Sequence, residues 1–144
     1  MPDQTTADRK FAGRYPMKVR WSDLDALGHV NNSRFFTFFE QARVEWLEQS
    51  GWGDGDVRGG PVVVTASCQF KKPIGYPAAI EVRLFAGPLG TSSIPTYYEI
   101  RTEAGELAAL GEAVMVWIDT TTGRSMPLPD AVRTMLEGLP DIRR

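Results

Sequence analysis

The segment from Ser33 to Gln49 constrains the fold most, because its apolar surface is too wide for a helix on a protein surface. At about 100° per residue, its large side chains cover about half of the helix circumference. Such a helix is expected to be wrapped by a sheet. Asn31, Asn32 or Ser33 supplies the N-cap. Gly51 suits the C-terminal end. The apolar positions are Phe35, Phe36, Phe38, Phe39, Ala42, Trp46 and Leu47.

The rest of the chain largely alternates apolar and polar residues, which predicts strands. One strand, from Met17 to Ser22, precedes the long helix, and four antiparallel strands follow a glycine-rich connection over residues 51–61. A short helix is expected over Pro129–Leu139. We therefore predict one α+β domain over residues 15–144, with a flexible N-terminal arm over residues 1–14. The four later strands are expected within residues 62–71, 80–84, 94–101 and 107–118.

Composition and charge exclude several classes of function. The 144 residues suit one domain, since domains usually have roughly 100–200 residues. With 16 Lys and Arg against 18 Asp and Glu, the formal net charge is −2. No overall positive field is therefore present to attract nucleic acid or an anionic membrane. No membrane-spanning stretch and no apolar signal segment is found in the sequence, which predicts neither a membrane protein nor a secreted one.

The single cysteine, Cys68, bears on both location and chemistry. One cysteine forms no internal disulfide, which suits a reducing compartment, so we expect a cytoplasmic location. Cys68 lies in an alternating apolar strand, which favours a buried structural thiol over a nucleophile.

Self-association is expected because one helix leaves the other face of a long sheet poorly covered. Met115 and Trp117 are predicted to lie on that uncovered face. A second copy would bury this face or an exposed edge strand. We therefore expect at least a homodimer.

The densest polar cluster, Asp23–Asn32, lies between the first strand and the long helix. Asp, Gly and Asn are ordinary turn and capping residues, so the cluster can be purely structural. A helix N-terminus also offers unpaired N–H groups that stabilise an oxyanion. A carboxylate beside them can attack a carbonyl or activate water. Asp23 and Asp25 supply carboxylates, and His29 is the only imidazole in the chain.

The order of these residues resembles the opening signature of the 4-hydroxybenzoyl-CoA thioesterase family. The segment Val19–Asn32 carries an Asp-x-Asp-x-x-Gly-His-Val-Asn-Asn pattern, followed by Phe35, Phe39-Glu40 and Ala42-Arg43. The resemblance implies the hotdog fold, in which a curved antiparallel sheet of about five strands wraps a long central helix. It also implies hydrolysis of an acyl-CoA thioester by a homodimer or homotetramer, with active sites at the dimer interface. No metal and no cofactor is implied, since coenzyme A arrives as part of the substrate.

The resemblance also assigns site residues. Asp25 is implied as the catalytic carboxylate, acting as nucleophile or as general base. The backbone amide of Asn32 is a candidate oxyanion donor, and His29 and Asn31 are placed among the substrate-binding residues. The residue Phe35 departs from the pattern, because many members of the family have Tyr there. Candidates for binding the phosphates of coenzyme A are Lys71 and Lys72, with Arg34 near the helix start.

Glu40 and Trp52 are two further candidates. Glu40 lies three residues before Arg43, and we predict a structural ion pair between them rather than a catalytic Glu40. Trp52, in the glycine-rich connection, is either a packed side chain or a cap over an acyl tunnel.

Other activities remain open on the same fold. The chain can be a non-catalytic module that binds acyl-CoA, or it can act on thioesters of acyl carrier protein. A hotdog dehydratase would require a histidine base, for which His29 is available, but the chain better resembles the thioesterase pattern.

Overall fold

Within the described residues, 8–51 and 58–142 of a computed structural model, five strands form one antiparallel sheet and two α-helices accompany it. No helix in these ranges is both long and apolar enough to cross a membrane. In chain order the elements are β1 (Lys10–Lys18), a 3₁₀ turn (Trp21–Asp23), α1 (Asn32–Gln49), β2 (Gly60–Phe70), β3 (Ala79–Ala86), β4 (Ser93–Thr102), β5 (Leu107–Ile118) and α2 (Asp130–Glu137).

The sheet has the order β1-β3-β4-β5-β2. Its centre, β3-β4-β5, is a meander of sequence neighbours, with Val82 opposite Ile100. The connection through α1 takes the chain across the sheet, so that β2 pairs with β5 and not with β3. In that pairing Ala66 lies opposite Ala113. One edge of the sheet is therefore β1 and the other is β2.

The long helix packs on one face of the sheet, as its wide apolar surface predicted. The residues Phe35, Phe39, Ala42 and Trp46 are all buried, and so is Phe38. The same face of β4 contributes buried residues at every second position, as the two-residue period of a strand requires. The expected arrangement of a long helix wrapped by five antiparallel strands is confirmed.

Phe39 fixes the distance between helix and sheet. Its ring stacks on Tyr98 of β4, with ring centroids 4.7 Å apart. It also lies over Gly111 of β5, where a Cβ atom would come within 2.5 Å of the ring. A side chain at position 111 would therefore push the helix off the sheet.

The first strand differs from its prediction. Strand β1 spans Lys10–Lys18, so the prediction of a strand from Met17 to Ser22 was wrong in extent. Residues 10–14, assigned to the flexible arm, belong to this strand, and residues 1–7 lie outside the described residues. A register irregularity between Phe11 and Gly13 interrupts the alternation of inward and outward side chains, so the sequence pattern does not show this part of the strand.

The prediction for Met115 and Trp117 was also wrong, because both are buried in the core and do not lie on an uncovered face of the sheet. Side chains two residues apart share a face of a strand. Position 111 faces Phe39, so positions 115 and 117 face the helix as well. The Trp117 indole Nε1–H donates to the Arg58 carbonyl at 2.7 Å.

The contact between Phe39 and Gly111 predicts a stability effect. Gly111→Ala is expected to lower the free energy of unfolding by about 1–3 kcal/mol, because overpacking shifts neighbouring side chains. Gly60→Ala, on β2, is the matched control, since a Cβ there meets nothing within 4 Å. Urea unfolding measures both variants, and equal stability for the two would contradict this account of the packing.

Candidate active site

The loop that carries Asp25 is a tight hairpin. Leu24 and Val30 form an antiparallel bridge at its base. The Asp25 N–H donates to the His29 carbonyl at 2.8 Å, and the Gly28 N–H donates to the Asp25 carbonyl at 3.0 Å. Gly28 has φ of +80°, a backbone conformation that favours glycine. The backbone therefore holds Asp25 in one place, next to the start of α1.

The Asp25 carboxylate is anchored through one oxygen only. Its Oδ1 accepts the Leu27 N–H at 2.9 Å and the His29 N–H at 3.4 Å. Its Oδ2 has no hydrogen-bond partner among residues 8–51 and 58–142. The side chain is half-buried. One oxygen thus orients the group while the other is available to water or to a substrate.

The start of α1 leaves one backbone donor unused. Asn31 is the N-cap: its Oδ1 accepts the Ser33 N–H at 2.9 Å and the Ser33 hydroxyl at 2.8 Å. The Asn31 carbonyl accepts the Arg34 N–H at 2.8 Å. The Asn32 N–H has no recorded acceptor in the described part of the chain. It is therefore free to bind an oxyanion at the positive end of the helix.

Asp23 joins the loop to the helix. It is fully buried, and its carbonyl accepts the Asn31 N–H at 2.9 Å. Its carboxylate accepts the Arg20 N–H at 2.8 Å and an Arg20 guanidinium N–H at 3.1 Å. Arg34 Nε lies 3.9 Å from the same carboxylate. Asp23 thus supports the loop, since its side chain and its carbonyl both accept backbone N–H groups.

The other predicted binding residues make fewer contacts, and Lys71 lines a hollow on the outer face of the sheet rather than this loop. The His29 side chain is exposed and has no hydrogen-bond partner in the ranges described. Lys72 pairs with the Glu106 carboxylate, whereas Lys71 is exposed and forms no ion pair with any described residue. The Val30 N–H donates to the Ile74 carbonyl at 2.8 Å, which ties the loop to the segment after β2.

Arg43 differs from its prediction. No ion pair joins it to Glu40 within the described chain; instead its Nη1 donates to the Tyr98 hydroxyl at 3.0 Å. That hydroxyl donates in turn to Thr96 Oγ1, at 2.7 Å, because Thr96 gives its own hydrogen to the Ala113 carbonyl. Glu40 is exposed, whereas the Arg43 guanidinium reaches under the helix towards the sheet. Burial raises the pKa of Tyr98, so its hydroxyl stays protonated.

A cavity of about 180 Å³ lies between α1 and the strands β2 and β5. Small side chains on the strands, Ala66 and Ala113, leave this space under the helix. From α1, two aromatic rings line it beside three polar side chains, so it has an apolar part and a polar part. Its walls are Phe36, Thr37, Phe39, Glu40, Arg43, Ala66 and Ala113.

Three other residues bear on the chemistry. Phe35 is buried and packs edge-on against Phe70, with centroids 5.0 Å apart, so no hydroxyl is present where many relatives have Tyr. Burial raises the pKa of the half-buried Cys68 thiol to about 11, as expected for a structural cysteine. Trp52 lies outside the described residues. Within residues 8–51 and 58–142, no three His, Cys, Asp or Glu side chains lie close enough together to hold a metal ion.

The long helix on a five-stranded antiparallel sheet defines the class of protein as a hotdog domain. A sequence profile of the thioesterase-like superfamily matches residues 19–136. The chain therefore belongs to the thioesterase-like superfamily.

Individual relatives agree with this assignment. A Pseudomonas aeruginosa protein, named as a proposed thioesterase, is 35% identical over 88% of this chain and 99% of that chain, with a TM-score of 0.81. A Xanthomonas campestris protein, named as a proposed acyl-CoA thioesterase, is 39% identical over 81% and 100%, with a TM-score of 0.68. A proposed esterase of Aquifex aeolicus is 36% identical over 73 residues, 49% of this chain and 57% of that protein.

The structure brings Asp25, His29, Asn31 and Asn32 together in one loop and helix start. Sequence reasoning missed Arg20. The spacing of three residues between Arg20 and Asp23 is the signal for their pairing, because it places both on one turn. Asn31 also has a clearer role in the structure, since its side chain caps α1.

The cap predicts a difference between two adjacent asparagines. Asn31→Ala is expected to lower the free energy of unfolding by about 1 kcal/mol, because the Ser33 N–H loses its acceptor. Asn32→Ala is the matched control and should change stability by less than about 0.5 kcal/mol, since its side chain makes no recorded hydrogen bond within the described ranges. Thermal and urea unfolding measure both. A larger loss for Asn32→Ala than for Asn31→Ala would contradict the assignment of the cap.

Proposed function

We propose that this protein is an acyl-CoA thioesterase of the 4-hydroxybenzoyl-CoA thioesterase type, which hydrolyses an acyl thioester to the free acid and coenzyme A. The proposal rests on two neighbouring groups, Oδ2 of Asp25 and the N–H of Asn32. Neither has a hydrogen-bond partner among residues 8–51 and 58–142. Both belong to one rigid unit of loop and helix start. A carboxylate beside an oxyanion donor is what acyl transfer to water requires.

The proposed reaction uses Asp25 in one of two ways. As a general base, its carboxylate takes a proton from water while the water oxygen bonds to the thioester carbon. As a nucleophile, it bonds to that carbon itself, and water then hydrolyses the mixed anhydride. In both cases the C–S bond breaks and the sulfur leaves as a thiolate that takes up a proton.

The Asn32 N–H would stabilise the negative charge that develops on the thioester oxygen. Its position at the start of α1 adds the positive end of the helix dipole. A preorganised donor of this kind contributes about 3–4 kcal/mol to catalysis in other acyl-transfer enzymes. The acyl group is proposed to enter the cavity under α1, against Phe36, Phe39 and the alanines of β2 and β5. His29, exposed on the loop, and the exposed Lys71 are proposed to contact the substrate, and no metal or cofactor takes part.

The relatives support the general class of reaction. The superfamily profile covers most of the chain, and the Xanthomonas campestris relative is named for acyl-CoA. The coenzyme A specificity and the carboxylate mechanism are our proposal for this chain. A cytoplasmic location, predicted from the single cysteine, belongs to the same proposal.

We also infer that the protein is a homodimer or homotetramer whose active sites lie at the interface between two copies. Strand β2 is a long edge strand that pairs only with β5 among the described strands. Long, apolar edge strands invite pairing with another chain. Beside Asp25, Trp21 and Leu27 are 74% and 82% exposed, which supports their contact with a second copy. The exposed apolar residues of β2 are Val62, Val63, Val64 and Phe70.

The enzymatic proposal predicts thiol release from a panel of acyl-CoA thioesters with short, long and aromatic acyl groups. Asp25→Asn is expected to lower kcat at least about a hundredfold, because the neutral amide neither attacks carbon nor accepts a proton from water. The free thiol is measured spectroscopically, and thermal unfolding checks that the variant is folded.

The matched comparison is Glu40→Gln, which removes the carboxylate that lines the cavity. It should retain most of the activity. Loss of activity in Glu40→Gln, with Asp25→Asn still active, would contradict the assignment of Asp25. Binding of the thioesters without turnover by the wild type would favour a binding module over an enzyme.

The oligomer predicts a change in mass when the edge of β2 is charged. Val64→Lys should shift the protein towards the 16.0 kDa monomer in light scattering, because a buried ammonium disfavours strand pairing. Val44→Lys, at an exposed valine on the outer side of α1, should not change the mass. A wild type that is monomeric at micromolar concentration would rule out this assembly.

A further inference from the structure

Two arginines share one buried carboxylate beside the candidate active site. Asp23 is fully buried, whereas the side chains of Arg20 and Arg34 are 61% and 42% exposed. Both guanidiniums approach the same oxygen, Oδ1, with Nη2 of Arg20 at 3.1 Å and Nε of Arg34 at 3.9 Å. The group of three therefore carries one negative and two positive charges. We call it the Asp23 cluster, and its net charge is positive.

Several guanidinium N–H donors of the Asp23 cluster have no acceptor among the described residues. Arg34 turns its Nε towards Asp23, which leaves its two terminal nitrogens without an acceptor among residues 8–51 and 58–142. Arg20 likewise engages Asp23 through Nη2 and has no other recorded side-chain partner there. By contrast, Arg83 on the outer face of the sheet has a carboxylate of its own, Glu81, at 2.6 Å.

The cluster belongs to the same backbone unit as the proposed catalytic groups. The Asp23 carbonyl accepts the Asn31 N–H, Asp25 follows Asp23 by two residues, and Arg34 follows Asn32 by two. A substrate whose thioester carbonyl lies at Asn32 would have its carrier arm close to Arg34. The chain as a whole is slightly acidic, so this concentration of positive charge is local.

We propose that Arg20 and Arg34, oriented by Asp23, bind a phosphate of the carrier arm of the thioester substrate; this rests on the proposed function. Guanidinium groups present planar pairs of N–H donors that match phosphate oxygens, which makes arginine well suited to this ligand. The Asp23 carboxylate lies 3.1 Å from Nη2 of Arg20 and 3.9 Å from Nε of Arg34, which brings the two guanidiniums close together. Lys72 is already paired with Glu106. Of the phosphate-binding candidates named from the sequence, Arg34 is the one that this proposal uses, together with Arg20.

The phosphate has two possible sources, because coenzyme A and the prosthetic group of a carrier protein both contain 4′-phosphopantetheine. Coenzyme A adds the phosphates of its nucleotide. The chemistry at the arginines is the same for both sources, so the substrates used in the test must separate them.

The first measurement is the binding of free coenzyme A by calorimetry, which does not depend on turnover. Arg34→Gln is expected to weaken binding about tenfold, and Arg34→Lys, which keeps the charge but loses the planar fork, should lie in between. Arg83→Gln is the control and should bind as the wild type does. Equal binding by Arg34→Gln and the wild type would overturn the proposal.

The second measurement compares thioesters of one acyl group on coenzyme A, 4′-phosphopantetheine and N-acetylcysteamine, the last of which has no phosphate. Arg34→Gln should raise KM about tenfold, with kcat unchanged, for substrates that carry the phosphate it reads. An effect on both phosphate-bearing thioesters identifies the 4′-phosphate, and an effect on the coenzyme A thioester alone identifies the nucleotide phosphates. An equal rise for N-acetylcysteamine would overturn the proposal.

The two proposals fail in different ways. If the wild type released thiol from none of the three thioesters, the proposed function would fail, and the calorimetry would still decide whether the arginines bind phosphate. If the wild type hydrolysed all three and Arg34→Gln did so with unchanged KM, the phosphate site would fail and the thioesterase would stand.

Discussion

The contact of Phe39 with Tyr98 and Gly111 is the interaction on which the rest of the structure depends. It seats α1 on the sheet at a fixed distance, and the absence of a side chain at position 111 makes that distance possible. Because an α-helix is a stiff rod, fixing its middle also fixes its first turn. The N–H of Asn32 is therefore placed by the core, about two turns away from Phe39.

From that first turn, the geometry passes to the loop through Asp23. Its carbonyl accepts the Asn31 N–H, and its carboxylate holds Arg20 and Arg34, so one buried residue determines both the path of the loop and the position of two cations. A buried charge is costly unless it is paired, and Arg20 provides the close partner at 3.1 Å. Asp25 benefits because the hairpin that carries it begins at that anchor and needs only backbone contacts of its own.

The helix, the meander β3-β4-β5 and the polar loop could be predicted from the sequence because each follows from local periodicity, capping or turn residues. The long-range features could not. Pairing of β2 with β5 depends on the path of the connection through α1, and β1 was hidden by an irregular register near Gly13. The Glu40–Arg43 pair failed for a similar reason. Spacing along a helix shows which side chains are neighbours, but the hydroxyl of Tyr98, 55 residues away in sequence, offered Arg43 a better-placed acceptor under the helix.

The acyl cavity and the edge strand are linked through a shared wall. Ala66 lies on β2 and lines the cavity under α1, so a second copy paired along β2 would stand directly beside the space proposed for the acyl group. The carrier arm, in contrast, would lie at the other end of the site, at the Asp23 cluster, on residues of a single copy. Selection of the acyl group would then depend on pairing along β2, whereas both arginines proposed to bind the carrier belong to one copy. Substitutions at the edge of β2 and at Arg34 should accordingly act on different parts of the substrate.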